Sequence, residues 1–124
     1  MTKPIIAVAI GDPAGIGPEI ALKAAMDEGV RGRCRPILVG SAEILELYRA
    51  RYGLSCTVRP VAAPDEAEFA PGTVDVIDVD GPPLVGFAPG ESDAACGRAI
   101  LDYAATAIDL AREGAVDGVV ASPQ

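Results

Sequence analysis

Residues 4–19 read PIIAVAIGDPAGIGPE, an apolar run that passes into a glycine-rich loop and then into a predicted helix. The run from Pro4 to Ile10 is almost wholly apolar, which is typical of a strand covered on both faces in a parallel sheet. Three glycines within seven positions permit backbone conformations that other residues avoid, and Pro18 suits the first turn of a helix. The stretch therefore predicts a strand, a ligand-facing loop and a helix, with a plain tight connection as the alternative interpretation of the loop.

The remainder of the chain continues to alternate strands with helices. Further strands are predicted at 36–39, 74–79 and 116–121, with a weaker one at 56–61. Helices are predicted at 18–28, at 41–52 with Ser41 as N-cap, and at 92–113, ended by Gly29, Gly53 and Gly114. The apolar stripe of the last helix is predicted to comprise Cys96, Ile100, Tyr103, Ala104, Ala107 and Leu110 or Ala111. This order indicates an α/β fold with a parallel-rich sheet flanked by helices.

Ligands of such sheets bind at the carboxyl ends of the strands. If the last strand lies beside the first, we expect the loops at 11–18, 40–41 and 122–124 to meet at that edge. Residues 80–92, which contain three prolines and three glycines, form a second loop of functional length.

Composition excludes several classes of function. With 18 acidic residues against 10 basic ones and a net charge of −8, the chain is not expected to bind nucleic acid. No apolar run is long enough to span a bilayer, and a cytoplasmic location is expected. The basic residues Arg31, Arg33 and Arg35 are predicted to be solvated after the first helix.

The cysteine and histidine content limits the chemistry. Cys34, Cys56 and Cys96 are too widely spaced for a CxxC motif, so they are interpreted as small buried residues of a reduced compartment. The chain contains no histidine, and so it can build neither a histidine-ligated metal site nor a Ser-His-Asp or Cys-His pair. Carboxylate-only chemistry remains possible, but the acidic residues are mostly predicted on helix faces or in turns, where a solvated role is the default.

The glycine loop does not match the two common phosphate-binding motifs. A dinucleotide fingerprint requires GxGxxG, but Gly15 and Gly17 are followed by Ile20, and the second strand ends without an acid. A P-loop requires a lysine, which the loop lacks. The amides at the start of the following helix could still meet an anion, although Glu19 opposes this.

Residues 10–19 with their flanks resemble the amino-terminal signature of the 4-hydroxythreonine-4-phosphate dehydrogenase family, in which a strand runs into GDPAGIGPE. The segments 36–40, 90–97 and 114–123 resemble later parts of the same family. The resemblance spans the whole chain but only the amino-terminal part of the family's usual length. Gln124 departs from the family's pattern after the proline, which leaves the substrate open, with a non-phosphorylated four-carbon acid or a cyclic dihydrodiol as alternatives.

This resemblance implies a two-domain fold like those of isocitrate and isopropylmalate dehydrogenases, with residues 1–124 as its amino-terminal α/β segment. It also implies a homodimer, a role in pyridoxal phosphate biosynthesis, and NAD-dependent oxidation and decarboxylation of a phosphorylated hydroxy acid. A divalent metal, Zn, Mg or Co, would polarise the substrate oxygen. The residues that match the family's loop beside the cofactor cleft, with roles in shape rather than proton transfer, are Gly11, Asp12, Pro13, Gly15, Ile16, Gly17, Pro18 and Glu19.

The resemblance places the family's metal and substrate ligands beyond the matched region. No catalytic and no metal-ligating residue is therefore assigned to this chain, and the 124 residues by themselves are expected to be inactive. Two alternatives belong to other classes of protein. The chain could be a small α/β module that binds an acidic metabolite without catalysis, or the alanine-rich helix at 92–113 could serve assembly.

Overall fold

A computed structural model describes residues 2–122, which form one β-sheet flanked by helices. The elements are β1 (Ile5–Ala9), α1 (Gly17–Met26), α2 (Glu28–Arg33), β2 (Arg35–Gly40), α3 (Ala42–Arg51), β3 (Thr57–Val61), a 3-10 turn (Pro64–Glu66), β4 (Thr73–Asp78), α4 (Ala94–Arg112) and β5 (Gly118–Ala121). The predicted fold class and the alternation of strands with helices are confirmed. None of the helices within residues 2–122 combines the length and the apolarity that crossing a bilayer requires.

All five strands are parallel, in the order β3-β4-β2-β1-β5. The last strand lies beside the first, with Ile6 opposite Gly118 and Ala9 opposite Ala121, so the condition stated for the meeting of the three loops is met. The connections through α1 and α3 lead across the sheet from β1 towards β3. The connection through α4 leads back across the sheet, from β4 to β5. Since crossover connections are right-handed, α1 and α3 share one face of the sheet and α4 covers the other.

The core is thickest at the centre of the sheet. Ile37, Leu38 and Val39 are consecutive in β2, and each is fully buried, so both faces of this strand are covered. By contrast, β5 lies at an edge and leaves Val120 53% exposed. The sheet is therefore well covered over β2 and progressively less so towards β5.

The predicted first helix is wrong at its carboxyl end. It ends at Met26, and Gly29, which was expected to end it, lies inside the short helix α2. The cause is Asp27, which leaves helical geometry and accepts a hydrogen bond of 3.0 Å from Val30 N through its Oδ1. A new N-cap thus starts a second helix where a loop was predicted.

Arg31 is not solvated, which corrects the prediction for this residue. Its guanidinium donates to the carbonyl oxygens of Ala25, Phe69, Ala70 and Thr73 over 2.9 to 3.3 Å. It therefore fastens the turn before β4 to the end of α1, because one cation satisfies carbonyls from two distant segments.

Arg35 is also not freely solvated. It lies at the start of β2, donates from Nε to the Lys3 carbonyl, and stacks over the Phe69 ring with 5.3 Å to the centroid. Arg33 is exposed, as predicted.

The three cysteines are free thiols. Cys56 and Cys96 are buried, and burial raises the pKa of both thiols, while Cys34 is half-buried. The long helix is confirmed as α4 with Asp93 as its N-cap, and the residues it buries are Cys96, Ala99, Tyr103 and Ala107.

Candidate ligand cleft at the carboxyl edge of the sheet

The glycine loop is a compact turn that supports itself. Gly11 has a φ of +77°, a conformation that an L side chain rarely adopts. Asp12 Oδ1 accepts from Ala14 N at 2.9 Å, and the Asp12 carbonyl accepts from Gly15 N at 2.9 Å. The first bond forms an Asx turn and the second closes a β-turn, and together they reverse the chain after β1.

Two other segments anchor this turn. The Tyr48 hydroxyl in α3 donates to the Pro13 carbonyl at 2.8 Å in a buried setting, where burial raises the pKa of Tyr48 to about 12. On the other side, Gly90 N donates to the Ala14 carbonyl at 2.7 Å. The loop at 80–92 is thereby tied to the glycine loop.

The eight predicted site residues lie together at the end of β1, but they differ in exposure. Gly11, Pro13, Gly17 and Pro18 are buried; Asp12, Gly15 and Glu19 are half-buried; Ile16 is 61% exposed. A ligand can therefore touch only part of the set, and the buried members set the shape of the turn.

Glu19 is already engaged within the protein. Lys23, one turn further along α1, pairs with its carboxylate at 2.6 Å. This ion pair reduces the negative charge that Glu19 presents to the start of the helix.

The start of α1 differs from that of the other α-helices in residues 2–122. Asp27, Ser41 and Asp93 each accept a hydrogen bond from an amide in the first turn of α2, α3 and α4. The N-cap of α1 is Ile16, whose side chain has no acceptor. The amides at this end of the helix are left for an acceptor supplied from outside the helix.

The ends of β2 and β4 form a cleft of about 340 Å³ at the same edge of the sheet. Its lining includes Ser41, Glu43, Asp78, Asp80 and Gly81. Asp78 Oδ1 accepts from Ala42 N at 2.9 Å and so supports the start of α3. With three carboxylates in its lining, the cleft attracts cationic groups more readily than phosphate.

Tight packing fixes the backbone around this cleft. A Cβ on Gly40 would overlap the buried side chain of Ile10, and a Cβ on Gly81 would overlap the Tyr103 hydroxyl. Burial raises the pKa of Tyr103 to about 12. Within residues 2–122 its hydroxyl has no partner in hydrogen-bonding geometry, so it contributes packing rather than a bond.

Two of the three loops expected at this edge are present there, because β1 and β2 are parallel neighbours. Of the third, Ser122 is buried and its amide donates to the Ala9 carbonyl at 2.9 Å; Pro123 and Gln124 lie outside the described residues. Residues 80–92 were predicted to form a loop of functional length, but Asp78, Asp80 and Gly81 were not assigned to a site, although their position after an apolar strand was a usable signal. The sequence interpretation also missed the contact of Tyr48, for which a lone tyrosine on a helix gives no signal.

The segment does not by itself fit a metal ion. Among residues 2–122, no three histidine, cysteine or acidic side chains converge closely enough to ligate one. For a dinucleotide, the turn at residues 11–19 offers backbone donors but no cationic side chain on its own surface. What this edge supplies is shape and amide hydrogen bonds.

The fold and the site together define a class. This sheet is parallel and has a glycine-rich turn at its carboxyl edge, and the turn leads into a first helix that lacks a side-chain cap. Proteins of this class bind a small ligand at that edge. The sequence profile described as pyridoxal phosphate biosynthetic protein PdxA matches residues 32–124, and the chain belongs to this family of dehydrogenases.

Individual relatives agree with this assignment. The D-threonate 4-phosphate dehydrogenase of Cupriavidus necator is 35% identical over 120 residues, which are 97% of this chain and 36% of that protein. Crystal structures of 4-hydroxythreonine-4-phosphate dehydrogenases match with TM-scores of 0.92 for Burkholderia phymatum, at 30% identity, and 0.89 for Klebsiella pneumoniae, at 36% identity. Both cover 98% of this chain, and 36% and 37% of the solved chains. The chain thus spans little more than a third of the length of its relatives.

Proposed function

We propose that this chain is the amino-terminal segment of an NAD- and divalent-metal-dependent dehydrogenase that oxidises a hydroxy acid phosphorylated at carbon 4. In this proposal, residues 11–19 form one wall of the cofactor cleft, while catalytic, metal and phosphate ligands come from the remainder of the protein. The observation that carries the proposal is the turn at residues 11–19, anchored by Tyr48 and Gly90 and placed at the ligand edge of a sheet shared with this family.

The charge at this edge supports the assignment of the phosphate ligands to the remainder of the protein. Asp78, Asp80 and Glu43 line the cleft, and none of its lining residues in the described part of the chain is a lysine or an arginine. A phosphorylated substrate needs cationic partners, so its phosphate would be held by residues outside the segment.

The names of the relatives support the class of substrate. D-threonate 4-phosphate and 4-hydroxythreonine-4-phosphate both carry a phosphate on carbon 4. We propose a compound of this kind, with decarboxylation following oxidation, and leave the choice between the two to experiment.

The proposed assembly is a homodimer of the full-length form, and the proposed location is the cytoplasm. The location rests on the three free thiols, which are typical of a reducing compartment.

The alternative of a module that binds an acidic metabolite is less consistent with the site. The carboxylates of Asp12, Asp78 and Asp80 lie at the edge where such a ligand would bind. Repulsion by these groups would oppose an acidic metabolite unless cations were supplied by another segment.

A chimera tests the proposal. The 120 residues of this chain that match the Cupriavidus necator enzyme replace their counterparts in that enzyme, and NADH formation is measured with each of the two phosphorylated substrates. We expect turnover by the chimera and none by the 124-residue chain alone. A folded chimera without activity on either substrate, or NADH formation by the isolated chain, would overturn the proposal.

The same chimera tests the role of the glycine loop. Gly11→Val strains a residue with φ +77° in the turn, and Gly72→Val imposes the same kind of strain at φ +76° on the opposite edge of the sheet. We expect Gly11→Val to raise the KM for NAD more than Gly72→Val does. Equal effects of the two substitutions on the KM for NAD would show that the turn does not form part of the cofactor cleft.

A further inference from the structure

A cavity of about 460 Å³ lies at the amino-terminal edge of the sheet, at the opposite end of the strands from residues 11–19. Lys3 precedes β1, Arg35 begins β2 and Pro71 precedes β4, and all three line the cavity together with residues of α2. It is larger than the cleft of about 340 Å³ at the carboxyl edge, and its size is that of many small-molecule pockets. We call it the amino-edge cavity.

Three of the residues that line the amino-edge cavity, Lys3, Arg31 and Arg35, are cations. Within residues 2–122 none of them takes part in an ion pair. Their hydrogen bonds go to neutral carbonyl oxygens: Lys3 Nζ donates to the Arg31 carbonyl, and Arg35 Nε donates to the Lys3 carbonyl at 2.8 Å. Glu28 also lines the cavity, and it is exposed and without an ion pair among the same residues. Three cations thus face one carboxylate in a chain whose net charge is −8.

The guanidinium of Arg35 is held in place with part of its hydrogen-bonding capacity unused. Its Nε bonds to the Lys3 carbonyl, and its plane lies over the Phe69 ring, with 5.3 Å from Cζ to the ring centroid. Its Nη1 and Nη2 atoms have no acceptor among the residues that the structure describes. A guanidinium presents such donors in a fork that matches the oxygens of a carboxylate or a phosphate.

Phe69 and two prolines, Pro36 and Pro71, give the cavity an apolar wall. Phe69 N donates to Oδ2 of the buried Asp75 at 2.9 Å, and the Phe69 carbonyl accepts from Arg31 Nη2 at 2.9 Å. These bonds hold Phe69 at a φ of +51°, which is rare for a residue with a side chain. A fixed aromatic ring beside a guanidinium with unused donors suits a ligand that is apolar at one end and anionic at the other.

We propose that the amino-edge cavity is a second ligand site, which binds a small organic oxyanion with an apolar body. The oxyanion accepts hydrogen bonds from Arg35 and Lys3, and the apolar body packs against Phe69 and the two prolines. Arg31 contributes its charge, because its own donors are bonded to carbonyl oxygens. The length of β2 separates this site from the carboxyl edge by about 16 Å, so the two sites can be tested independently.

Titration of the ¹⁵N-labelled 124-residue chain with phenyl phosphate, followed through its amide chemical shifts, tests the proposal. We expect saturable shifts at Gly32, Cys34 and Arg35, which line the cavity. Inorganic phosphate lacks the ring and benzyl alcohol lacks the charge, so each should bind at least about fivefold more weakly than phenyl phosphate. The absence of saturable shifts, shifts confined to residues 11–19, or equal affinities for the three probes would overturn the proposal.

Substitutions of opposite sign separate this site from a general effect of charge. Arg35→Gln and Lys3→Gln should each weaken the binding of phenyl phosphate at least about fivefold, whereas Glu28→Gln removes the opposing carboxylate and should tighten it about twofold. The control is Arg33→Gln, which removes the same charge from an exposed position of α2 outside the lining and should change affinity by less than about twofold. Circular dichroism checks the fold of each variant. Lys3 and Glu28 are exposed, so these two variants keep the test valid if Arg35→Gln unfolds, and an effect of Arg33→Gln as large as that of Lys3→Gln would overturn the proposal.

Cys34 reports on the same cavity in the chimera described above. Its thiol is half-buried in the lining, whereas Cys56 and Cys96 are buried. Phenyl phosphate at a concentration well above its dissociation constant should slow alkylation of Cys34 by iodoacetamide at least about threefold, in the 124-residue chain and in the chimera alike. Mass spectrometry of the peptide that contains Cys34 measures the rate. An alkylation rate in the chimera that phenyl phosphate leaves unchanged would overturn the proposal.

Discussion

The hydroxyl of Tyr48 donates a buried hydrogen bond of 2.8 Å to the carbonyl oxygen of Pro13, which connects α3 to the centre of the glycine turn. The bond reaches the turn on its buried side, which faces the protein interior. It also gives a carbonyl in a buried loop the partner that it requires.

Removing this bond is expected to destabilise the protein. Tyr48→Phe leaves the Pro13 carbonyl without its donor, at a cost of about 1–3 kcal/mol in the free energy of unfolding. Tyr52→Phe is the control, because Tyr52 stacks on Tyr48 but is 45% exposed. Urea denaturation followed by circular dichroism measures both, and similar midpoints would show that the bond does not stabilise the fold.

The second buried tyrosine should behave differently. Tyr103 is fully buried, yet its hydroxyl has no hydrogen-bond partner among the described residues, so Tyr103→Phe removes a desolvated polar group and breaks no bond. We expect the free energy of unfolding to stay the same or to rise by up to about 1 kcal/mol. A loss as large as that of Tyr48→Phe would reveal a partner for Tyr103.

Both tyrosines should make the protein sensitive to alkali. Burial raises the pKa of each to about 12, so between pH 10 and 12 the folded chain keeps phenolic protons that the unfolded chain releases. Their stabilising contribution is complete below about pH 10 and is lost as the pH rises towards 12, by at most about 2–3 kcal/mol for each tyrosine. Denaturation midpoints from pH 8 to 12 should therefore fall less steeply in the Tyr48→Phe/Tyr103→Phe double variant, and parallel profiles would contradict the assignment.

Gly40 is expected to tolerate no side chain. The Cβ of Gly40→Ala would overlap the Ile10 side chain, which is fully buried and cannot swing aside, so a loss of about 1–3 kcal/mol is expected. Gly32→Ala is the matched control in α2, where a Cβ meets nothing within 4 Å and should stabilise the helix by about 0.5–1 kcal/mol. Thermal denaturation distinguishes the opposite signs, and two shifts of the same sign would refute the overlap.

The carbonyl contacts of Arg31 should be worth more than its charge. Arg31→Met removes four hydrogen bonds from a cation and is expected to cost about 2–3 kcal/mol. Arg33→Met removes the same charge from an exposed position in the same helix and should change stability by less than about 0.5 kcal/mol. Chemical denaturation of the pair measures the difference, and equal losses would indicate a general effect of charge.

Local signals in the sequence were sufficient for much of the fold. Ser41 was predicted as an N-cap, and its Oγ accepts from Ile44 N; Gly53 was predicted to end α3, and its φ is +62°. The role of Asp27 was predicted wrongly. This one residue ends one helix and caps the next, whereas an argument from periodicity treats the two helices as one.

The candidate site was predictable only where it is local. The turn at residues 11–19 is encoded by adjacent residues, and so its place after β1 followed from the sequence. Tyr48 and Gly90, which anchor it, are 35 and 76 residues from their acceptors, and nothing in their immediate neighbourhood indicates these contacts. Long-range hydrogen bonds of this kind depend on the assembled sheet.

The pairing of β1 with β5 has a consequence for biosynthesis. Ile5 N donates to Asp117 Oδ2 across 112 residues, beside a ladder that joins Ile6 to Gly118. Because β5 is synthesised after β1, β1 can complete this ladder only after residues 118–121 have left the ribosome. Until then one backbone edge of β1 lacks its native partner, and unpaired strand edges of this kind favour association between incompletely folded chains.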